Sequence, residues 1–184
     1  ARVAVVTQPT TAQSGIAFPV APTVQVQDAA GNPVSTTRSI SALSNSGSAV
    51  LSGTLSRTTN ASGLATFAGL VLTGPVGPNT LLFSSAGLTT DTTAVINLTA
   101  GTATQLAMLQ QPSASAASGV AFVQQPTVQL RDGSGNPVSA VVPVTASIAS
   151  GGGTLGGTVT VNTDPTGLAT FTNLAVTGTT GART

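Results

Sequence analysis

Two short loops hold the residue types most able to do chemistry. Asp28 opens DAAGNPV at 28–34, and Asp132 opens DGSGNPV at 132–138. An acidic residue followed by small residues, Gly, Asn and Pro suits a calcium loop, a phosphate cradle or a turn. Calcium takes about six to eight oxygens, several of them from carboxylates, and each loop supplies one carboxylate. A phosphate loop needs GxxxxGK[ST] ahead of a helix, and the chain has no Lys. A turn accounts for every position. Asp28 stands at i and Gly31 at i+3 of a type I turn. The carboxylate can accept the N–H two residues on. Gly31 tolerates φ > 0 and would close a hairpin with a G1 bulge, while Pro33 holds Asn32 extended. Asp132, Gly135, Asn136 and Pro137 take the same roles. The turn is the favoured reading; a weak or interfacial calcium site is the alternative.

Little else points to catalysis. His, Cys, Lys, Glu, Trp and Tyr do not occur among the 184 residues, which removes the usual triads, thiolates and Schiff-base lysines. Paired-carboxylate chemistry needs two acids close together. The four Asp are Asp28, Asp91, Asp132 and Asp164, and they do not form a repeated pair, because Asp164 falls opposite Asn60. No enzymatic activity and no cofactor are expected. Two sequons, Asn60-Ala61-Ser62 and Asn97-Leu98-Thr99, make Asn60 and Asn97 candidate N-glycosylation sites.

Charge excludes further partners. Charged residues make up 5% of the chain, against about 25% in ordinary soluble domains. Arg2, Arg38, Arg57, Arg131 and Arg183 are dispersed without neighbouring aromatics, so no nucleic-acid partner is expected. No apolar run approaches the ~18–20 residues of a membrane span, and no signal-peptide pattern opens the chain. The first residue is Ala rather than Met, which suggests a processed chain or a window of a longer one.

These loops belong to a larger repeat, the first feature to look for in such a chain. SGIAF at 14–18 matches SGVAF at 118–122, PTVQVQD at 22–28 matches PTVQLRD at 126–132, and GLATF recurs at 63–67 and 167–171, an offset of 104. The offset is 103 at the N-terminal edge, where Gln8-Pro9 matches Gln111-Pro112, so one residue is inserted in SASAAS. Two domains are expected, residues 1–102 and 103–184. Thr184 falls opposite Thr80, so LLFSSAGLTTDTTAVINLTA at 81–100 has no counterpart and the second unit lacks its last strands.

Each unit reads as all-β. PTVQVQD alternates, with Val24 and Val26 on one face and Gln25 and Gln27 on the other, the period-2 pattern of a half-buried strand. Thr and Val favour strands, and SNSGS and TGPVGPN mark turns. The strands expected in the first unit are 3–7, 22–28, 38–43, 48–52, 54–59, 64–72, 79–85 and 92–98. Within 64–72, Ala65 and Phe67 differ in parity from Leu70 and Leu72. A β-bulge near Gly69, and near Asn173 in the second copy, would turn both pairs to the core.

Seven or eight such strands in ~100 residues fit an immunoglobulin-like sandwich. PTVQLRDGSGNPV, followed by VTASI, GGGTLGGT and NTDPTGLATF, resembles the bacterial immunoglobulin-like domains of the invasin/intimin kind that recur in large surface proteins. The resemblance covers both units and implies an extracellular or cell-surface structural module, part of a stalk, fibre, filament or surface layer. The alternative is an adhesin module that binds a host or cell-surface glycan or protein through its end loops. The implied partners are neighbouring repeats or copies of the chain. If Thr184 ends the protein, the open second unit can take a strand from another chain; if the chain continues, the continuation supplies it.

Overall fold

The computed structural model describes all 184 residues, which divide into two compact units, Ala1–Gly101 and Thr102–Thr184. Unit one contains β1 (Arg2–Thr7), β2 (Thr11–Gln13), β3 (Thr23–Gln27), β4 (Ser39–Ser46), β5 (Val50–Ser52) and β6 (Ser56–Thr58). It continues with β7 (Leu64–Thr66), β8 (Val71–Thr73), β9 (Gly77–Ser84), β10 (Asp91–Thr92) and β11 (Ile96–Thr99). One sheet runs β1-β3-β7. The other runs β2-β11-β9-β4-β6, with β10 also on β9, and β5 pairs β8 separately. All pairings are antiparallel except β2 with β11. The first strand's worth of chain thus serves both sheets, crossing at Gln8-Pro9-Thr10 between an antiparallel pairing to β3 and a parallel one to β11. This is the strand order of an immunoglobulin-type sandwich.

The alternation of the sequence produces this packing. Val3, Val24, Val26, Ile40, Leu81, Phe83 and Ile96 turn inward and are fully buried. Phe67 meets Phe83 with ring centroids 4.9 Å apart and planes inclined by 57°. Each such side chain stabilises the sandwich by about 1.5–3 kcal/mol relative to exposure. Gln25 points away from this core as its parity requires, yet it too is buried, because its Nε2 donates to the carbonyl of Ser62 at 2.8 Å.

The expected strand 64–72 is corrected. The chain leaves β7 after Thr66, turns through Gly69 at φ +80°, and enters β8 at Val71, which pairs a different strand. Ala65, Phe67, Leu70 and Leu72 are all buried, but a turn between two short strands achieves this, not a bulge in one. Asn173 does not have positive φ; its Oδ1 accepts the Thr158 N–H at 2.7 Å instead.

Unit two contains β12 (Gln105–Gln110), β13 (Thr127–Arg131), β14 (Pro143–Thr145), β15 (Thr154–Gly156), β16 (Thr160–Asn162), β17 (Leu168–Thr170) and β18 (Ala175–Thr177). Its pairings reproduce those of unit one in register. Val3↔Val26 becomes Leu106↔Leu130, Val24↔Ala65 becomes Val128↔Ala169, Ile40↔Arg57 becomes Val144↔Val161, and Leu51↔Leu72 becomes Leu155↔Val176. Even the register shift in β1 between Val5 and Thr7 recurs between Met108 and Gln110. This unit has no counterparts of β2, β9, β10 and β11, and its buried cluster is smaller: Val128, Val144, Ala169, Phe171 and Leu174.

Candidate functional site

Asp28 leaves the end of β3 and folds its carboxylate back over the next four residues. Oδ1 accepts the N–H groups of Ala30 and Asn32, both at 2.9 Å, and Oδ2 accepts Asn32 Nδ2 at 3.0 Å. The Gly31 N–H donates to the Asp28 carbonyl at 3.2 Å, with Gly31 at φ +91°. Asp132 repeats the pattern with Ser134 and Asn136 N–H at 2.9 Å and Asn136 Nδ2 at 2.8 Å, and Gly135 takes φ +82°. Asp132 is buried at 2% exposure, and Arg131 Nη1 donates to the Gly135 carbonyl at 2.5 Å. The return arm after each turn is a single bridge, Gln27↔Pro33 and Arg131↔Pro137, followed by Val34 and Val138 donating to Val26 and Leu130.

The same device occurs twice more, at positions the sequence reading passed over. Asn60 Oδ1 accepts Ser62 and Leu64 N–H at 2.9 and 3.0 Å, and Asp164 Oδ1 accepts Thr166 and Leu168 N–H at 2.8 and 3.0 Å. Gly63 and Gly167 follow three residues on, at φ +75° and +80°. The signal was present as [DN]-x-x-G at 28, 60, 132 and 164, but the Asn-for-Asp difference hid it. All four loops turn an Asx oxygen onto backbone donors.

Electrostatics follow the bonds. Asp28 lies below its ordinary carboxyl pKa chiefly because Asn32, by side chain and backbone, donates to its charged form. Asp164 is lowered first by the Thr166 hydroxyl, at 2.6 Å, and then by the Leu168 backbone. Asp91, in β10, accepts the Val5 N–H at 2.9 Å on Oδ2 and the Thr92 N–H at 2.9 Å on Oδ1. Each carboxylate is therefore occupied by N–H or O–H donors of its own unit, and no three His, Cys, Asp or Glu side chains come together. This arrangement can stiffen loops; its oxygens do not converge on a shared point.

The two sequon asparagines lie in different settings. Asn60 is exposed in its loop, with Oδ1 engaged as described. Asn97 is exposed on β11, whose backbone pairs with β9 on one side and β2 on the other, and the Thr99 hydroxyl donates to the Ala12 carbonyl at 3.1 Å.

Concavity is found in unit two. A cleft of about 560 Å³ opens between the segment after β12 and the chain end, with Pro112, Ser113, Phe122, Val176, Gly178 and Arg183 in its lining. On β12, Leu106 is 56% exposed where its counterpart Val3 is 1% exposed, and Met108 is 48% exposed.

Two solved bacterial proteins are similar to the chain. One is invasin, described as a bacterial integrin-binding protein, at 18% identity over 97% of this chain, with a TM-score of 0.43. The other is the D0-D1 domain of intimin, at 20% identity over 97% of this chain and 84% of that one, with a TM-score of 0.39. The chain spans 33% of the length of the invasin chain. No protein-family model matches, and no curated protein does. The immunoglobulin-type assignment rests on the strand order itself.

Proposed function

We propose that the chain is a structural module of a bacterial cell surface, an extracellular sandwich repeat that forms part of a stalk, fibre, filament or surface layer. The observation that carries this reading is what the repeat duplicates. Strand pairings and Asx loops recur in register across the two units, and the recurring polar residues are spent on turns and on covering backbone. A duplicated frame without a duplicated site suits mechanical continuity. The sparse charge fits the same role, since there is little surface ion pairing for salt to screen or acid to neutralise. Its partners in this reading are neighbouring repeats or other copies of the chain.

Two measurements test it together. Stretching single molecules should give discrete, reversible unfolding of unit one. Arrays of glycans and host-surface proteins should show no saturable binding. Saturable binding that is lost on substituting an end loop would overturn the structural reading in favour of an adhesin module.

A further inference from the structure

One peptide bond in the chain joins an aspartate to a proline. Asp164 is followed by Pro165, whereas Asp28, Asp91 and Asp132 are followed by Ala29, Thr92 and Gly133. A prolyl nitrogen carries no N–H and belongs to a tertiary amide. It takes a proton in acid more readily than a secondary amide nitrogen does, and so leaves more easily. The carboxylate of the preceding residue can act as a nucleophile and close a ring on its own carbonyl carbon. A turn alone accounts for Asp followed by Pro, since each is favoured at its place there. The reactivity of the bond comes with that choice.

The fold holds this bond fixed and open to solvent. Asp164 and Pro165 are both exposed, in the loop between β16 and β17. On one side, the Asp164 N–H donates to the Leu168 carbonyl at 2.9 Å. On the other, Gln129 Nε2 donates to the Thr166 carbonyl at 2.9 Å. The Asp164 carbonyl, which a nucleophile must attack, accepts the Gly167 N–H at 2.9 Å. The Thr166 N–H, the Thr166 hydroxyl and the Leu168 N–H all donate to Oδ1, which leaves Oδ2 free. These donors favour the charged carboxylate, which is the nucleophilic form. β16, β17 and residues 138–142 beside them hold no charged residue. Arg131 ends β13, the partner of β17, and donates to the Gly135 carbonyl; Asp132 follows it and accepts from Ser134 and Asn136. Both are thus engaged in the loop at 132–136. The matching loop of unit one makes the same bonds with Asn60 and Ala61 in these places, so it lacks both nucleophile and leaving group.

We propose that the folded chain cleaves itself in acid at the Asp164–Pro165 bond. Asp164 Oδ2 attacks the Asp164 carbonyl carbon, and the Gly167 N–H stabilises the charge that develops on the carbonyl oxygen. The C–N bond breaks, its electron pair passes to the Pro165 nitrogen, and that nitrogen takes a proton from the acidic solvent. Asp164 is left as a cyclic anhydride. Water opens it to a side-chain carboxyl and a new α-carboxyl, so the balance is one water consumed for one peptide bond. The cut severs the connection from β16 to β17, and the ladders β13-β17 and β15-β18 then join the two fragments without a covalent link. One repeat is thereby acid-sensitive where its sister is not. This goes beyond the structural reading and does not rest on it.

Intact mass reads the reaction while the full chain stands in acid below the ordinary carboxyl value of 3.8. Circular dichroism on the same sample sets the lowest pH at which the sheets persist, and cutting is followed there. The expected products are residues 1–164 and 165–184, and no other pair. Pro165→Ala gives unit two the residue found in the matching loop and should slow cutting at least about tenfold. Asp164→Asn keeps the acceptor, as Asn60 does in unit one, and should abolish cutting. A folded chain that stays uncut would overturn the proposal, as would undiminished cutting in either variant. Fragments that form only after urea has unfolded the chain would also overturn it, by showing that the loop shields the bond.

Discussion

Asn60 and Asp164 occupy the same place in two copies of one fold and make the same two bonds. Each directs Oδ1 onto the N–H two residues on and the N–H four residues on, at 2.9 and 3.0 Å for Asn60 and at 2.8 and 3.0 Å for Asp164. The position requires an acceptor oxygen at the end of a short side chain, not a negative charge. That distinction separates a loop-stiffening role from a general acid–base one, because an amide cannot exchange the proton such a role requires.

Loss of the acceptor should therefore matter more than loss of charge. Asp132 is the sharpest case, since it is buried and accepts from Ser134, Asn136 and the Asn136 side chain. Asp132→Ala leaves buried donors unpaired and should destabilise unit two by about 1–3 kcal/mol. Asp132→Asn keeps one acceptor and should cost clearly less. Urea unfolding followed at Met108 separates the two; equal losses would show that charge, not acceptance, is what the site needs.

Acid should act through Asp28 and Asp164. Both have folded pKa values lowered from 3.8 by hydrogen bonds to the charged form. The unfolded chain therefore binds more protons as pH falls, so the stabilisation is present above the unfolded value of 3.8 and is lost as pH drops through the depressed folded values. Asp164→Asn should flatten that decline, and Asn60→Asp should steepen it. Unfolding midpoints across this range give the check, and a slope unchanged in both variants would contradict it.

Much of this frame could be read from the residues, and the misses have physical causes. The 104-residue offset fixed which segments must pair alike, and the pairings do recur in register. The alternation in PTVQVQD placed Val24 and Val26 correctly. It left Gln25 facing outwards without indicating that the loop at Ser62 closes over it. β2 was missed because TAQ has no alternation of its own; its pairing with β11 is set by chain some 86 residues away, as in Asn97↔Thr11. The division of 64–72 was missed because Gly69 fits a bulge as well as a turn, and only the separate partners of β7 and β8 decide between them.

Glycines in the Asx loops should differ in tolerance despite similar dihedrals. Gly135 and Gly167 sit at φ +82° and +80°. A Cβ on Gly135 would meet nothing within 4 Å, whereas one on Gly167 would run into the Val138 carbonyl oxygen. Gly135→Ala should cost only the ~1–2 kcal/mol of left-handed backbone. Gly167→Ala should cost more than that, because backbone must move as well. Paired denaturation curves measure the difference, and equal costs would mean that the backbone at Val138 shifts freely.

The sequons should differ in the same way under an enzyme that glycosylates Asn-x-Ser/Thr. At Asn60 the Oδ1 atom holds the loop while the residue stays exposed, and Ser62 contributes its backbone N–H to that loop. At Asn97 the main chain is paired on both edges, and the Thr99 hydroxyl is already donating to Ala12. A transferase acting on folded chain needs local access to backbone and hydroxyl together, which the strand withholds and the loop offers. Expression in a glycosylating host should therefore modify Asn60 ahead of Asn97, as read by peptide mass mapping. Preferential occupancy at Asn97 would mean that modification precedes folding of β11, and an intact mass with no excess would remove both sites.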